Sequence, residues 1–582
     1  MDSSSACNPG GVISGSMDAF QIKALREFYA RTRGGDERAL TRRMMEELGV
    51  KLEWHEPDLE RIPKIGPAVI VCNHPYGMLE GLLLTQLLTP LRPDVRIVTN
   101  QLLAEITELN RICIWVDPIA DRSRAARFNS RGLRECLAWL QGGGLLVLFP
   151  AGAVSTIDVK RRGIVDPAWI PSAAWLARKT GAVTVPFYFS GSNSLHFHLL
   201  GLLHAKLRTA ALPAEFLNKR GHPVEVRIGR PVPAATLDGF GDDRTAAEYL
   251  RSRTYLLAKR GRPAAHAALG EGEPLAAPAS PDLLAGEVAA LPAGQLLDES
   301  RELSVWYASA GQIPGILSEI GRLREATFRA VGEGCGRAID LDRFDRHYQQ
   351  LFVWNRERRE IVGGYRLVHT ADVPLDDLYS RTLFRFDRRF LQRIGPAVEL
   401  GRSFVRPEYQ RQYAPLLLLW KGIGQYVARR PEAPVLFGAV SVSNDYSEIS
   451  RRLIVRYFET RQRDAELARL VRSRRPLRKL LVEWEVDSLV QLSRNPEDLG
   501  APIMDLEPDG KGLPVLLRQY CRLGAKMLAF SVDPQFANAL DGMILVDLRD
   551  SERALLDRYM GKETAERFLA EAGGCRTFAQ VS

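Results

Sequence analysis

From about residue 65, short apolar runs alternate along the chain with longer, helix-length ones. PAVIVCN (67–73) is too short for a stable helix and is bounded by Pro and Asn, so it predicts a buried strand ending in a turn. GLLLTQLL (81–88) predicts an apolar helix. VRIVTN (95–100), GGGLLVLFPAG (142–152), AVTVPFYFSG (182–191) and VEVRIGRPV (224–232) predict four further strands. Strands separated by helices point to an α/β sheet. Upstream, Phe20, Leu25, Phe28 and Tyr29 have helical spacing, read first as core packing and second as a membrane-facing helix.

A second α/β pattern begins near residue 303. IVGGYRLV (361–368), AVELGRSFVRP (397–407) and VLFGAVSVS (435–443) read as strands, and PLLLLWKGIGQYVARR (415–430) as an amphipathic helix. LPVLLRQYCRLGAKMLAF (513–530) and GMILVDL (542–548) follow, and there is no internal repeat. Between the patterns, residues 261–292 are dominated by Ala, Pro, Gly and Glu. The predicted plan is a Ser/Gly-rich disordered N-terminus (1–16), a first domain (17–260), a linker (261–299) and a different second domain (300–582). At 582 residues, two or more cores are expected.

Charge and cysteine usage narrow the function classes. The net charge of +9 suits an acidic partner, such as anionic lipid headgroups or acyl carrier protein. The basic residues are dispersed and no nucleic-acid-binding motif accompanies them. The seven Cys form no C-x-x-C pair, so reduced thiols are expected rather than a disulfide framework or a zinc site. No metal is expected. No run is long and apolar enough to span a bilayer, and the N-terminus lacks the pattern of a secretion signal. If lipid is the substrate, the expected place is the inner face of the cytoplasmic membrane, peripherally bound.

The first candidate site is NHPYGMLEG (73–81). It places His74 on a turn at a strand's end, with Glu80 at the start of the next helix. A carboxylate beside an imidazole orients the ring and stabilises its protonated form, so the pair can act as a general base. A turn histidine bonded to backbone is the alternative from this segment alone. With three later blocks, the region from about 50 to 260 resembles the glycerolipid-type acyltransferase superfamily. The blocks are ICIWVDP (112–118), FPAGAVS (149–155) and TVPFYFSG (184–191). The resemblance implies a mixed sheet with flanking helices, His74 as base and Glu80 as its orienting acid. It places Asn73, Gly77, Phe149, Pro150, Gly152, Ser155 and Pro186 at the substrate. Glu80 stands one residue further along than the usual acid. Ala151 replaces the usual Glu of the third block, Val154 its frequent Arg, and Pro118 an Arg of the second. Those charges serve glycerol phosphate in the superfamily, so their loss argues against such an acceptor.

The second candidate site runs from Glu399 to Ser443. ELGRSFV (399–405), RPEY (406–409), LFGAVSVSNDYS (436–447), LPVLLRQYCRLGAK (513–526), FRAVGEG (328–334) and DLDRFDRHYQQLFVWN (340–355) resemble the GNAT superfamily, closest to its ornithine N-acyltransferase branch. In this resemblance a strand edge holds the acyl thioester. Glu399 acts as base or holds an ammonium group, and Arg402 holds a carboxylate or the donor; the two are equally readable as a structural ion pair. Ser403 and Arg406 lie in the matching strand and turn, and Ser441 and Ser443 line the acyl groove. The stretch QRQYAP (410–415) stands where a phosphate-binding loop is usual. Tyr413 replaces a Gly there, which favours an acyl carrier protein donor over acyl-CoA. Arg402, Arg406, Arg411 and Lys421 are expected to face that carrier. No bound cofactor is implied.

Together the resemblances imply the bifunctional ornithine lipid synthase family. One domain would N-acylate ornithine or a similar amino acid with a 3-hydroxyacyl group, and the other would O-acylate the 3-hydroxyl. A lysophospholipid acyltransferase with an independent GNAT domain, and a non-catalytic lipid-binding scaffold, are the alternatives.

Overall fold

The computed structural model describes residues 23–117, 122–261, 272–477 and 483–574. The expected disordered segment 1–16 and Pro118 lie outside the described residues. The chain divides into two compact units. Unit 1 is the chain through Arg260 with Val482–Ser493 and Met504–Leu506. Unit 2 is Gly261–Leu481, Arg494–Ile503 and Glu507–Ser582.

Unit 1 is built on strands β1 (Lys51–Glu53), β2 (Ala68–Cys72), β3 (Val95–Asn100), β4 (Cys113–Val116), β5 (Leu145–Leu148), β8 (Val183–Phe189) and β9 (Pro223–Ile228), in the order β1-β9-β8-β2-β5-β3-β4. A separate hairpin, β6 (Thr156–Asp158) and β7 (Gly163–Val165), follows β5. Strands β2, β3, β4, β5 and β8 are mutually parallel, and β9 runs antiparallel to β8. Every residue of β2 is buried, as a strand covered on both faces requires. Helix α1 (Leu79–Leu88) is mostly apolar and almost wholly buried, as a helix with apolar residues on several faces requires. Because the parallel strands share a direction, the segments that follow β2, β3, β5 and β8 emerge at one edge of the sheet. Function in such sheets gathers at that edge.

Three further helices of unit 1 matter below. Helix α2 (Leu195–Leu203) follows β8, and α3 (Asp243–Leu256) lies late in the unit. The third, Trp484–Leu492, comes from far along the sequence; its Ser488 is bonded by Ser252 of α3 at 2.8 Å. The expected boundary of a single C-terminal domain over 300–582 is therefore corrected, because this helix and Asp505 belong to unit 1. Asp505 forms a buried ion pair with Arg253.

Unit 2 holds an eight-stranded sheet in the order β10-β11-β12-β13-β15-β16-β19-β18. Its strands are β10 (Leu296–Ser300), β11 (Leu303–Ala308), β12 (Gln349–Asn355), β13 (Glu360–His369), β15 (Ala397–Val405), β16 (Val435–Val442), β18 (Lys526–Asp533) and β19 (Ala539–Asp547). A side pair, β14 (Phe384–Phe386) with β17 (Val471–Ser473), lies apart from it. Neighbouring strands are antiparallel except β15 and β16, which run parallel. One apolar cluster contains Phe352, Ile361 and Phe404, and another contains Val368, Phe437 and Leu545. The expected linker 261–299 is corrected in part. Residues 262–271 lie outside the described residues, but Pro281–Ala289 is a helix, α4, and Leu296 begins an edge strand. Part of the segment packs rather than links: Leu284 and Val288 are buried in the unit 2 core.

Candidate active sites

In unit 1 the turn after β2 is fixed from several sides. The Asn73 side-chain amide donates to the Phe189 carbonyl at 2.9 Å and accepts from the Phe189 N–H at 2.7 Å, clamping the end of β2 to β8. Gly77 takes φ of +103°, and an added Cβ would lie 3.1 Å from Leu212, so the turn requires glycine. The chain then enters α1, whose first turn carries Glu80. Glu80 is fully buried and accepts the Tyr76 N–H at 2.6 Å. Its Oε1 stands 3.5 Å from His74 Nδ1, an ion-pair contact longer than a hydrogen bond. The pair thus sits in the geometry of an orienting carboxylate behind a base, with Nε2 on the opposite edge of the ring. The Phe149 ring packs against the imidazole, with centroids 4.4 Å apart.

Burial alone would lower the proton affinity of His74, but the charge of Glu80, its contact with the ring, and Asp166 outweigh burial and leave the imidazole raised. Asp166 is 1% exposed. It accepts the His74 N–H at 3.1 Å, the Ser155 hydroxyl at 2.6 Å and the Trp169 indole N–H at 3.0 Å. One buried carboxylate therefore ties the His74 turn to the segment after β5. Asp166 is itself held by α3: its N–H donates to the Tyr255 hydroxyl at 2.7 Å, and Arg251 donates to its carbonyl at 2.6 Å. Gly152 has φ of +62° and open space where a Cβ would be, so its backbone borders accessible volume. Pro150 is buried, and Pro186 lies within β8, opposite Val71.

In unit 2, β15 and β16 pair only from Ala397/Val435 to Glu399/Phe437. Both strands continue, β15 to Val405 and β16 to Val442, so the ladder opens beyond Glu399. Gly438 permits the close approach at the point of parting: a Cβ there would meet the Leu400 carbonyl oxygen at 2.1 Å. β15 is also irregular against β13 between Gly364 and Arg366, and Arg402 in that stretch has a left-handed φ of +49°. An opened parallel pair leaves strand edges able to bind an extended amide-bearing chain such as a pantetheine arm.

A buried charge network backs this opening. Arg324 bonds Asp340 at 3.0 Å and Asp345 at 2.9 Å, and Arg366 bonds Asp342 at 2.7 Å. Arg402 reaches Asp340 at 3.3 Å and lies over the rings of Tyr379 and Phe536. Charges this deep persist because each is paired.

The acyltransferase family matches residues 37–262, and the acetyltransferase (GNAT) domain family matches residues 323–421. A glycine N(alpha)-acyltransferase of Bacteroides thetaiotaomicron is 31% identical over 299 residues, 47% of this chain and 86% of that protein. The protein of the same name from Phocaeicola vulgatus is 30% identical, covering 44% of this chain and 83% of that one. The chain belongs to the family of the glycine N(alpha)-acyltransferases, with an acyltransferase domain in the same chain. A lyso-glycine lipid O-acyltransferase of Phocaeicola vulgatus is 28% identical over 222 residues, 37% of this chain and 75% of that protein. The family resemblance and the α/β folds read from the sequence are borne out, and the chain is an enzyme of acyl transfer.

Several residues expected at the GNAT site are bonded within the protein. Glu399 is 1% exposed, and its carboxylate is covered by the Tyr348 hydroxyl and by the N–H groups of Tyr379 (3.1 Å) and Ser380 (2.6 Å). Burial raises its pKa, with those donors opposing. These contacts tie Glu399 to the 379–380 loop. Three of the four arginine and lysine residues expected to face a carrier are paired internally: Arg402 as above, Arg406 with Glu360 at 2.5 Å, and Lys421 with Asp298 at 3.1 Å. Arg411 is exposed. Ser443 donates to the Val331 carbonyl at 2.9 Å and Ser441 to Glu333 at 3.0 Å, so both hydroxyls serve protein partners. Ser403 is half-buried in the irregular part of β15. Tyr413 begins the helix α6 (Tyr413–Ala428) and is 59% exposed, with the Arg558 guanidinium over its ring.

In the acyltransferase domain, the side chains of Asn73 and Ser155 are likewise bonded within the protein, to the Phe189 backbone and to Asp166. Sequence reading missed Asp166, Arg366 and Tyr348. The legible signal was a charged residue inside an apolar run, as with Arg366 in GGYRLVH and Asp166 in GIVDPAW.

Proposed function

We propose that the chain makes a diacylated aminolipid in two steps. The GNAT domain joins a 3-hydroxyacyl group to the α-amine of an amino acid, ornithine or glycine among the candidates. The acyltransferase domain then esterifies the 3-hydroxyl with a second acyl chain. The observation that carries this reading is the presence, in one chain, of relatives of an amino acid N-acyltransferase and of a lyso-lipid O-acyltransferase. The donor is an acyl thioester, with acyl carrier protein favoured by the ring of Tyr413 at the helix start.

In the O-acyl step His74 Nε2 takes the proton of the acceptor hydroxyl. The oxygen attacks the thioester carbonyl carbon, and the C–S bond breaks as the tetrahedral intermediate collapses. The imidazolium returns the proton to the leaving thiolate, giving ester and thiol. Glu80 stabilises the imidazolium in between. The absence of a Glu at Ala151, which is buried, supports an acceptor without glycerol phosphate.

The acyltransferase domain is proposed to work at a membrane surface. Leu195, Leu199, Leu202 and Leu203 are 68%, 49%, 61% and 77% exposed and share one face of α2. Leu102 and Ile170 are exposed on segments that follow β3 and β5, at the His74 edge. An apolar rim around the site suits a lyso-lipid taken from a bilayer.

The test is expression in a host lacking aminolipids, followed by mass spectrometry of total lipid. A new N-acyl, O-acyl amino acid lipid is expected, and His74→Ala should replace it with the mono-acyl lyso-lipid. Absence of any acylated amino acid overturns the reading, and lyso-lipid loss in His74→Ala would mean that the domain roles are reversed.

A further inference from the structure

The sheet face of unit 2 that carries Glu399 carries more carboxylate beyond the opening of β15 and β16. Phe437 pairs with Glu399, and Ser441, four residues on, lies on the same face. Asp541 of β19 stands directly opposite Ser441. Glu333, which follows helix α5 (Pro314–Arg329), reaches the same place and accepts the Ser441 hydroxyl at 3.0 Å. Asp533, at the end of β18, accepts the Tyr379 hydroxyl at 3.2 Å. All three carboxylates are at least nine-tenths buried.

Such a cluster is costly unless something cationic joins it. Glu333 Oε1 is buried and has no hydrogen-bond partner. Two cations face the cluster, and the charges of both oppose the raised pKa values of Glu333 and Asp541. Arg402 pairs with Asp340 and Asp342, and Arg451, on helix α7 (Glu448–Arg461), donates to the Asn538 carbonyl at 3.4 Å. The neighbouring Asp445 is paired with Lys511 at 2.9 Å. Burial pushes Glu333 up to about 7. Burial, then the charges of Asp533 and Glu333, also raises Asp541 against Arg402 and Arg451. Among the described residues no group of three His, Cys, Asp or Glu side chains is arranged to hold a metal ion, and an ammonium group is a cation that two carboxylates can hold by hydrogen bonds.

We propose that Glu333 and Asp541 form the amine site of the GNAT domain, holding the acceptor's ammonium group and taking its proton before acyl transfer. This rests on the reading of unit 2 as an amino acid N-acyltransferase, and it gives the proton-accepting part to this pair in place of Glu399. One carboxylate becomes a carboxylic acid as the ammonium becomes an amine. The amine nitrogen attacks the thioester carbonyl carbon, an amide bond forms and the C–S bond breaks. The thiolate leaves with the second amine proton, and the carboxylic acid returns its proton to solvent. The site lies where the strand ladder is open, so an extended thioester and the amine meet at the same opening.

The experiment uses the purified full chain, a 3-hydroxyacyl-acyl carrier protein donor, and glycine and ornithine as acceptors. Glu333→Gln and Asp541→Asn are expected to cut kcat/KM for the acceptor at least tenfold while the donor KM stays within twofold. Asp541→Asn removes a repelling buried charge, so its Tm should be unchanged or higher, which separates loss of function from loss of fold. Ser441→Ala keeps both carboxylates but removes a donor that favours ionised Glu333. The acid limb of its pH profile should therefore move to higher pH. Acceptor kinetics within twofold of the parent in both carboxylate variants would overturn the proposal. A parent enzyme that acylates neither acceptor would instead remove the N-acyltransferase reading, and the amine site with it.

Discussion

At the scale of single residues, the O-acyl site is a balance between burial and one carboxylate. Burial opposes a charged His74, while Glu80 and Asp166 favour it, and the net pKa is raised. A base works above its pKa, so the acid limb of the O-acyl rate should lie above that of an ordinary histidine. Glu80→Gln removes the largest favourable group and leaves burial against Asp166 alone. The limb should then shift to lower pH, while kcat falls by roughly 10²–10⁴-fold as orientation and imidazolium stabilisation are lost. A pH–rate profile of both proteins checks this; an unmoved limb would mean that Glu80 does not sense the ring. The linked stability has the same origin. The charged pair stabilises the fold fully below the unfolded histidine pKa, and that contribution is lost as pH rises through the raised folded value.

At the scale of elements, most of the chemistry depends on how strands end or part. His74 is available because β2 stops at Cys72 and the turn is clamped to β8 by Asn73. The GNAT opening exists because β15 and β16 pair over three residues and then separate. Gly438 lies at that hinge, and its constraint is backbone proximity to Leu400 rather than an unusual φ. Gly438→Ala must push the two strands apart. It should destabilise unit 2 by about 1–3 kcal/mol in a denaturant titration and raise the donor KM, with O-acyl activity retained. The strand positions were legible in the sequence from apolar runs and turn residues. The opening was not, because a short run of pairing and a long one have the same sequence pattern.

At the scale of the molecule, two candidate acyl-transfer sites are each assembled within their own unit, and the whole chain carries a net charge of +9. Among the described residues no helix is long and apolar enough to cross a membrane. The exposed apolar face of α2 and the positive net charge predict that membrane capture combines apolar contact with long-range attraction to anionic lipid. In vesicle co-sedimentation, changing Leu199, Leu202 and Leu203 to Ser should weaken binding to phosphatidylglycerol-containing vesicles at low salt and abolish it at high salt. The parent should lose only part of its binding as salt rises. Equal binding by parent and variant would exclude α2 as the docking face. The sequence by itself determined the two α/β patterns, the His74–Glu80 spacing, and the residue blocks that define each domain, because these follow from local periodicity and short-range turns. Only the tertiary structure decided that Asp166 fastens the His74 turn and that Glu399 is covered. It alone brought Glu333 to Asp541, and it alone built a helix from beyond residue 480 into unit 1. Those outcomes depend on which distant strands and helices become neighbours, and burial then fixes whether a given carboxylate is a clamp, an orienting group or a place for a cation.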